Sequence, residues 1–236
     1  MVRGAHSLQS LTGVDPIQLI ARIVAFATAI PFHEAAHGWV SEKLGDPTAR
    51  NAGRITLNPL KHLDPWGTLA MILIGFGWAK PVPIDTRYYK NRRTGMAISS
   101  AAGPVSNLLL AYVNMIIYKL LLYGFFAVQG LTATMPQWYD AVIDIFNYLV
   151  VINVVLAVFN LIPIPPFDGS RIFWVFLPEK WYFAIQKYER IIMGVMLLLL
   201  FFGAFSGVLS TAYGYVLQAF DWLTGYIDLI FVNLLL

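Results

Sequence analysis

The chain has 236 residues, 58% of them hydrophobic, 15% aromatic and only 12% charged, with a formal net charge of +3 and a mean hydropathy of +0.65. Soluble globular domains carry about 25% charged residues, so this composition excludes an ordinary soluble enzyme and points to an integral membrane protein. The absence of cysteine excludes a disulfide framework and a thiolate metal site.

The opening "MVRGAHSLQS" is too polar to be a cleavable signal peptide. The first apolar segment begins after Asp15-Pro16, an N-cap followed by a first-turn proline, and is expected to be helical to about Val40. Its second half reads "AIPFHEAAHGWV" (29–40). A polar loop, "GDPTARNAGRITLNPLKHLDP" (45–65), leads into Trp66–Ala79. At about 14 residues that piece is too short to span a bilayer and suits a re-entrant or interfacial segment.

Residues 80–95, "KPVPIDTRYYKNRRTG", are polar, with strand-like alternation around Val82 and Ile84. Three long apolar segments, roughly 96–126, 138–162 and 190–209, read as helices. Between the last two, the prolines of "NLIPIPPFDGS" (160–170) forbid a regular helix. In 211–236, Thr211, Gly214, Gln218, Asp221, Gly225 and Asp228 form one small-polar stripe. This segment either spans with the stripe facing the bundle or lies on the outer surface. The expectation is one membrane-embedded domain over 1–236. It would be an all-α polytopic bundle of about 4–6 helices with short re-entrant or strand-like cytoplasmic elements.

Of the 16 Lys and Arg, 13 fall within 42–65, 80–95 and 163–190, and none lies in 127–137. The positive-inside rule makes the three basic stretches cytoplasmic and the bare connection external. Trp66–Ala79 then cannot cross, which agrees with its length. The same bookkeeping brings His33, Glu34, His37 and Asp168 to one depth near the cytoplasmic face of a multi-pass cell-membrane protein. Arg22 and Lys119 lie toward the outer ends of their helices and are expected to snorkel.

His33 and His37 share one helix face, one turn apart. Two imidazoles so placed can bind one metal ion, with positions left for a third ligand and a water. Glu34 lies close enough to act on that water without ligating, the HExxH arrangement of zinc peptidases. The bland alternative is a histidine pair hydrogen-bonded inside a bundle, with Glu34 paired to one of them. Ionisable groups are costly in hydrocarbon, which favours the metal reading. For the third ligand, Asp140 and Asp144 lie at the external end of their helix, and Asp221 and Asp228 are on the ambiguous last segment. His62 sits in a basic loop. Asp168 follows an unwound turn at the right depth and is the best candidate, its alternative role being a helix N-cap.

"HEAAH" (33–37) and "NLIPIPPFDG" (160–169) resemble the site-2 protease family of intramembrane zinc metalloproteases, peptidase M50. "AAGPVSN" (101–107) is similar to the family's glycine-and-asparagine stretch, and 45–67 resembles its compact bacterial branch. The resemblance covers about residues 30–170. It implies one zinc ion on His33, His37 and Asp168, with Glu34 activating water. It also implies that Asn160, Pro163 and Pro165 shape a substrate-facing turn, with Asn107 near the site. Gly103, Asn107, Ala111 and Asn114 share one helix face, and Asn153 and Asn160 another, which suits close packing and interhelical hydrogen bonds.

Ser170 stands where many relatives have a second glycine, and the chain has room for neither the PDZ nor the CBS domains of larger relatives. The expected partners are single-pass membrane proteins and the bilayer, not nucleic acid. Oligomeric state is not legible in the sequence. The competing readings are a metal or proton transporter using the same groups, which needs a polar path to the far face, and a non-catalytic binder of membrane helices.

Overall fold

A computed structural model describes residues 16–67 and 79–235. It contains α1 (Pro16–Lys43), a short α2 (Thr48–Asn51), α3 (Arg92–Gln129), α4 (Gln137–Asn160), α5 (Asp168–Trp174), α6 (Glu179–Phe201), α7 (Ser206–Leu223) and α8 (Gly225–Leu235). Single 3-10 turns at Pro59–Lys61 and Thr86–Tyr88 punctuate the connections. α3 and α4 are each long and apolar enough to cross a membrane.

Local chemistry sets the helix ends. Asn91 caps α3, its side chain accepting from the Thr94 amide at 3.1 Å. Gly130 ends α3 at φ 89°, a backbone conformation that side chains oppose. α4 stops where Pro163, Pro165 and Pro166 leave no amide hydrogens to continue it.

α3 is the central element, packing against α1, α4, α5 and α8, while α1 also packs on α4 and α7 on α4. Small residues permit this. Ala21, Ala25 and Ala29 are fully buried at four-residue spacing along α1, so its backbone approaches its neighbours closely. Further along, Ala111 and Met115 of α3 meet Val150 and Val154 of α4 in an apolar cluster, covered by Tyr213, Val216, Leu217 and Phe220 of α7.

Three expectations change. Among the described residues no strand forms: Leu63 and Ala79 make one isolated antiparallel bridge. The segment around Val82 and Ile84 is extended but unladdered, because Pro81 and Pro83 have no amide to donate. The apolar run 190–209 is not one helix. Gly203 at φ 72° breaks it, so α6 ends at Phe201 and α7 begins at Ser206. Lys119 does not snorkel: it is buried, with its ammonium 2.8 Å from Asp221 and 2.7 Å from Asp228. Carboxylates on α7 and α8 give the cation partners without its reaching the outer surface, although Thr211, Gln218 and Asp221 of the polar stripe stay exposed and α7 packs instead through Tyr213, Val216, Leu217 and Phe220. The re-entrant expectation for Trp66–Ala79 falls mostly on 68–78, outside the described residues.

Candidate active site

His33 and His37 sit on the buried face of α1, 8% and 7% exposed. Their rings stand edge to face, with centroids 4.6 Å apart. Asp168 opens α5 directly after the Pro165-Pro166 turn, whose peptide is cis. Its carboxylate is not spent as an N-cap. Oδ2 lies 3.1 Å from Nε2 of His33 and 3.2 Å from Nε2 of His37. The two Nε2 atoms are themselves 3.0 Å apart.

The outer nitrogens decide what this triangle is. Nδ1 of His37 lies 2.7 Å from the carbonyl of Ser99, which can only accept, so Nδ1 carries the proton. Nδ1 of His33 lies 2.6 Å from Oδ1 of Asn107. The amide orientation there is set, because Nδ2 of Asn107 donates to Ala29 O at 3.2 Å and to Asn153 Oδ1 at 2.8 Å. Asn153 in turn donates to Leu149 O at 2.8 Å. The chain of assignments ends on a main-chain carbonyl.

With those protons on Nδ1, each imidazole in its neutral form directs an Nε2 lone pair at the same point as the Asp168 carboxylate. A cation at that point would satisfy both rings and the carboxylate at once. The donor set fits zinc: two imidazoles and a carboxylate are ligands of catalytic sites. Tetrahedral zinc with bonds of about 2.05 Å sets its ligand atoms about 3.3 Å apart, close to the 3.0–3.2 Å sides observed. His33, His37 and Asp168 thus form a group that could hold a metal ion.

Glycines make room. A Cβ on Gly103 of α3 would overlap Nε2 of His37 and Cε1 of His33. A Cβ on Gly169 would overlap the Leu161 and Ile162 main chain, so that glycine lets the proline turn fold back against α5. Ser170 is buried and ties its hydroxyl to Phe167 O at 2.7 Å, a bond that a second glycine would lack.

Glu34, next to His33 on α1, is partly buried and accepts from the Val82 amide at 2.9 Å. Segment 79–85 is a strap across the end of α1. Lys80 N donates to His62 O at 2.8 Å, and Asp85 N donates to Asp46 Oδ2 at 2.8 Å. Asp46 also accepts from Ser41 Oγ and from the amide and hydroxyl of Thr48. Burial pushes the Asp46 carboxyl up, but these donors outweigh it and hold it below the usual range. The Arg87 guanidinium and amide hold the pKa of half-buried Asp85 down at about 2.

The model of Peptidase family M50 matches residues 21–203. The chain belongs to peptidase family M50. It is 42% identical over 158 residues to "Putative zinc metalloprotease YwhC" of Bacillus subtilis (strain 168), covering 66% of this chain and 67% of the relative. It is 31% identical over 175 residues to "Putative zinc metalloprotease Rip2" of Mycolicibacterium smegmatis, covering 70% of this chain and 60% of that relative. No solved structure matches the chain. The M50 assignment makes it a zinc-dependent metalloprotease and a membrane protein, in agreement with the donor set and the two long apolar helices.

Within this M50 chain, the other residues singled out in the sequence divide: Asn107 touches the site, whereas Asn160, Pro163 and Pro165 make no hydrogen bond to its side chains among the described residues. Asn107 is fully buried, with its amide atoms committed to His33, Ala29 and Asn153. Asn160 turns its amide back onto Leu156 O at 2.9 Å. Pro163 is exposed and Pro165 buried in the turn before Asp168. Ser99 and Val82 reach the site through main-chain atoms, which leave no residue signature. Asn153 was legible only as a packing residue.

Proposed function

We propose that His33, His37 and Asp168 hold the zinc ion of this metalloprotease and that Glu34 is its general base. The observation that carries this reading is the convergence of two Nε2 atoms of α1 and a carboxylate oxygen of α5 on one point, with the Glu34 carboxylate next to His33 on α1. Bound there, zinc supplies Lewis acidity, polarising a scissile carbonyl and making water acidic enough to attack at neutral pH. Glu34 takes the proton of the attacking water and returns it to the leaving amine. The Val82 amide holds one carboxylate oxygen of Glu34 and leaves the other for this work. α3 closes the back of the site and excludes water from the Nδ1 side of both rings.

The substrates we infer are single-pass membrane proteins, cut in or near their spans on the cytoplasmic side by a multi-pass cell-membrane enzyme built as a single embedded domain. The basic loops around the site favour that side. A continuous helix hides its carbonyls in backbone hydrogen bonds, so the cut segment must unwind. Spans with Gly, Asn, Ser or Pro in their cytoplasmic half are the expected substrates. The irregular turn at 161–167, with Asn160, Pro163 and Pro165, is the element we assign to an extended substrate. A proton or metal relay is disfavoured: buried Ala111, Met115, Val150 and Val154 separate the site from the Lys119 cluster.

The deciding experiment measures zinc content and cleavage of a panel of single-pass substrates together. Glu34→Gln should keep about one zinc per chain and lose hydrolysis. His37→Ala and Asp168→Ala should lose the metal. Full zinc retention in Asp168→Ala removes it from the ligand set, and cleavage by Glu34→Gln overturns the base. Undiminished cutting of an all-leucine span refutes the substrate class.

A further inference from the structure

The two histidines are oriented by partners of different kinds. His37 donates its Nδ1 proton to the main-chain carbonyl of Ser99, which no substitution on α3 can remove. His33 donates to a side chain, Oδ1 of Asn107. Asn107 presents its oxygen and not its nitrogen only because its Nδ2 is claimed elsewhere, by Ala29 O and by Asn153 Oδ1. Were the amide turned over, its NH2 would face Nδ1 of His33. The ring would then carry its proton on Nε2 and could not ligate. The turned amide would also set its oxygen against two further acceptors. Three helices thus contribute to the tautomer of one ring: α4 through Asn153, α3 through Asn107 and α1 through His33. All three side chains are buried, so water cannot replace a lost partner at low cost.

From this geometry we propose that Asn107 is a positioning residue for metal binding, holding His33 in the Nδ1–H tautomer that aims its Nε2 lone pair at the zinc, and that Asn153 acts one step further out by holding Asn107. The inference rests on the reading of His33 as a zinc ligand. It assigns Asn107 to the metal and not to the substrate-facing surface, and it gives the conjunction of asparagines on α3 and α4 a purpose beyond packing. Outer partners of ligating histidines commonly change metal affinity by about 10- to 100-fold. That is the scale expected for Asn107→Ala, with a smaller loss in Asn153→Ala, where Asn107 stays but can turn. Asn114 is the natural control. It is buried on the same stripe of α3 but, among the described residues, donates within its own helix, to Leu110 O.

The test uses the purified full chain in detergent. Zinc affinity is measured by chelator competition, and the imidazole tautomers of the zinc-free protein by 15N NMR. In the wild type His33 should report as Nδ1–H. Asn107→Ala should weaken zinc binding by about 10- to 100-fold and abolish that tautomer preference. Asn153→Ala should do both to a lesser degree, and Asn114→Ala neither. If Asn107→Ala does not fold, Asn153→Ala decides on the same two readouts. Wild-type zinc affinity together with an unchanged His33 tautomer in either variant overturns the proposal while leaving the three-ligand reading intact. Equal zinc binding by His33→Ala and the wild type overturns the ligand reading, and the NMR arm still judges the hold of Asn107 on the ring.

Discussion

The carboxylate of Glu34 and the main-chain amide of Val82, 48 residues apart, share a hydrogen bond of 2.9 Å. Pro81 and Pro83 cannot donate, so Val82 offers the one amide hydrogen in that tripeptide. The side chain of Val82 is buried against Gly38, one turn beyond Glu34 on α1.

Val82→Pro removes this donor and leaves the zinc ligands untouched. A hydrogen bond to a charged acceptor contributes about 1.5–3 kcal/mol, so kcat should fall on the order of tenfold or more. Zinc content should not change. Wild-type turnover in this variant would show that the strap does not orient Glu34.

Gly103→Ala should be more damaging than its size suggests. Its methyl group would occupy the space of Nε2 of His37 and Cε1 of His33. α3 must withdraw or the rings must turn, and either breaks the ligand triangle. Zinc content by elemental analysis should drop sharply while helix content by circular dichroism holds. Ser170→Gly loses only the bond to Phe167 and should keep its metal.

Lys119 links α3 to the last two helices. Removing one member of a buried pair leaves an uncompensated charge, a cost that reaches about 3–5 kcal/mol when both partners are buried. Asp221 is 68% exposed, so its share is small. Thermal unfolding in detergent should rank the losses Lys119→Met, then Asp228→Asn, then Asp221→Asn. An Asp221→Asn variant as unstable as Lys119→Met would contradict that order.

The Asp46 knot makes stability depend on acid. Its carboxyl lies below the ordinary value in the folded protein despite burial, because Thr48, the Asp85 amide and Ser41 donate to it. The stabilisation is present above the unfolded value, about 4, and is lost as pH falls through the lower folded value. Melting temperature should therefore decline below about pH 4. Asp46→Asn should be less stable at neutral pH and show a flatter acid limb. Parallel curves for the two proteins would exclude Asp46 as the titrating group.

Topology is open to cysteine labelling because the chain has no cysteine of its own. Single cysteines at Ala52, Asn91 and Lys180 should react from the cytoplasmic side, and one at Thr132 from outside. Opposite faces for Ala52 and Asn91 would mean that the segment between them crosses, and would contradict both the shared depth of Asp168 with the histidines and the contact of segment 79–85 with the end of α1.

The sequence by itself determined the membrane class, the helical periodicity and the ligand types. These rest on composition and on i, i+4 spacing, which are local properties. It also singled out Asp168, because few carboxylates lie at a compatible depth. The polar stripe of 211–236 was legible, but not its partner Lys119, which lies on α3 more than 90 residues earlier. Only the tertiary structure decided how the rings are held. The Ser99 carbonyl and the Val82 amide are main-chain atoms common to every residue type, and their use depends on where α3 and the strap come to rest. The same holds for Asn107 and Asn153. An asparagine in an apolar helix announces a hydrogen bond, but which atom donates, and to what, is settled only when three helices meet and each amide is left one orientation that satisfies all its neighbours.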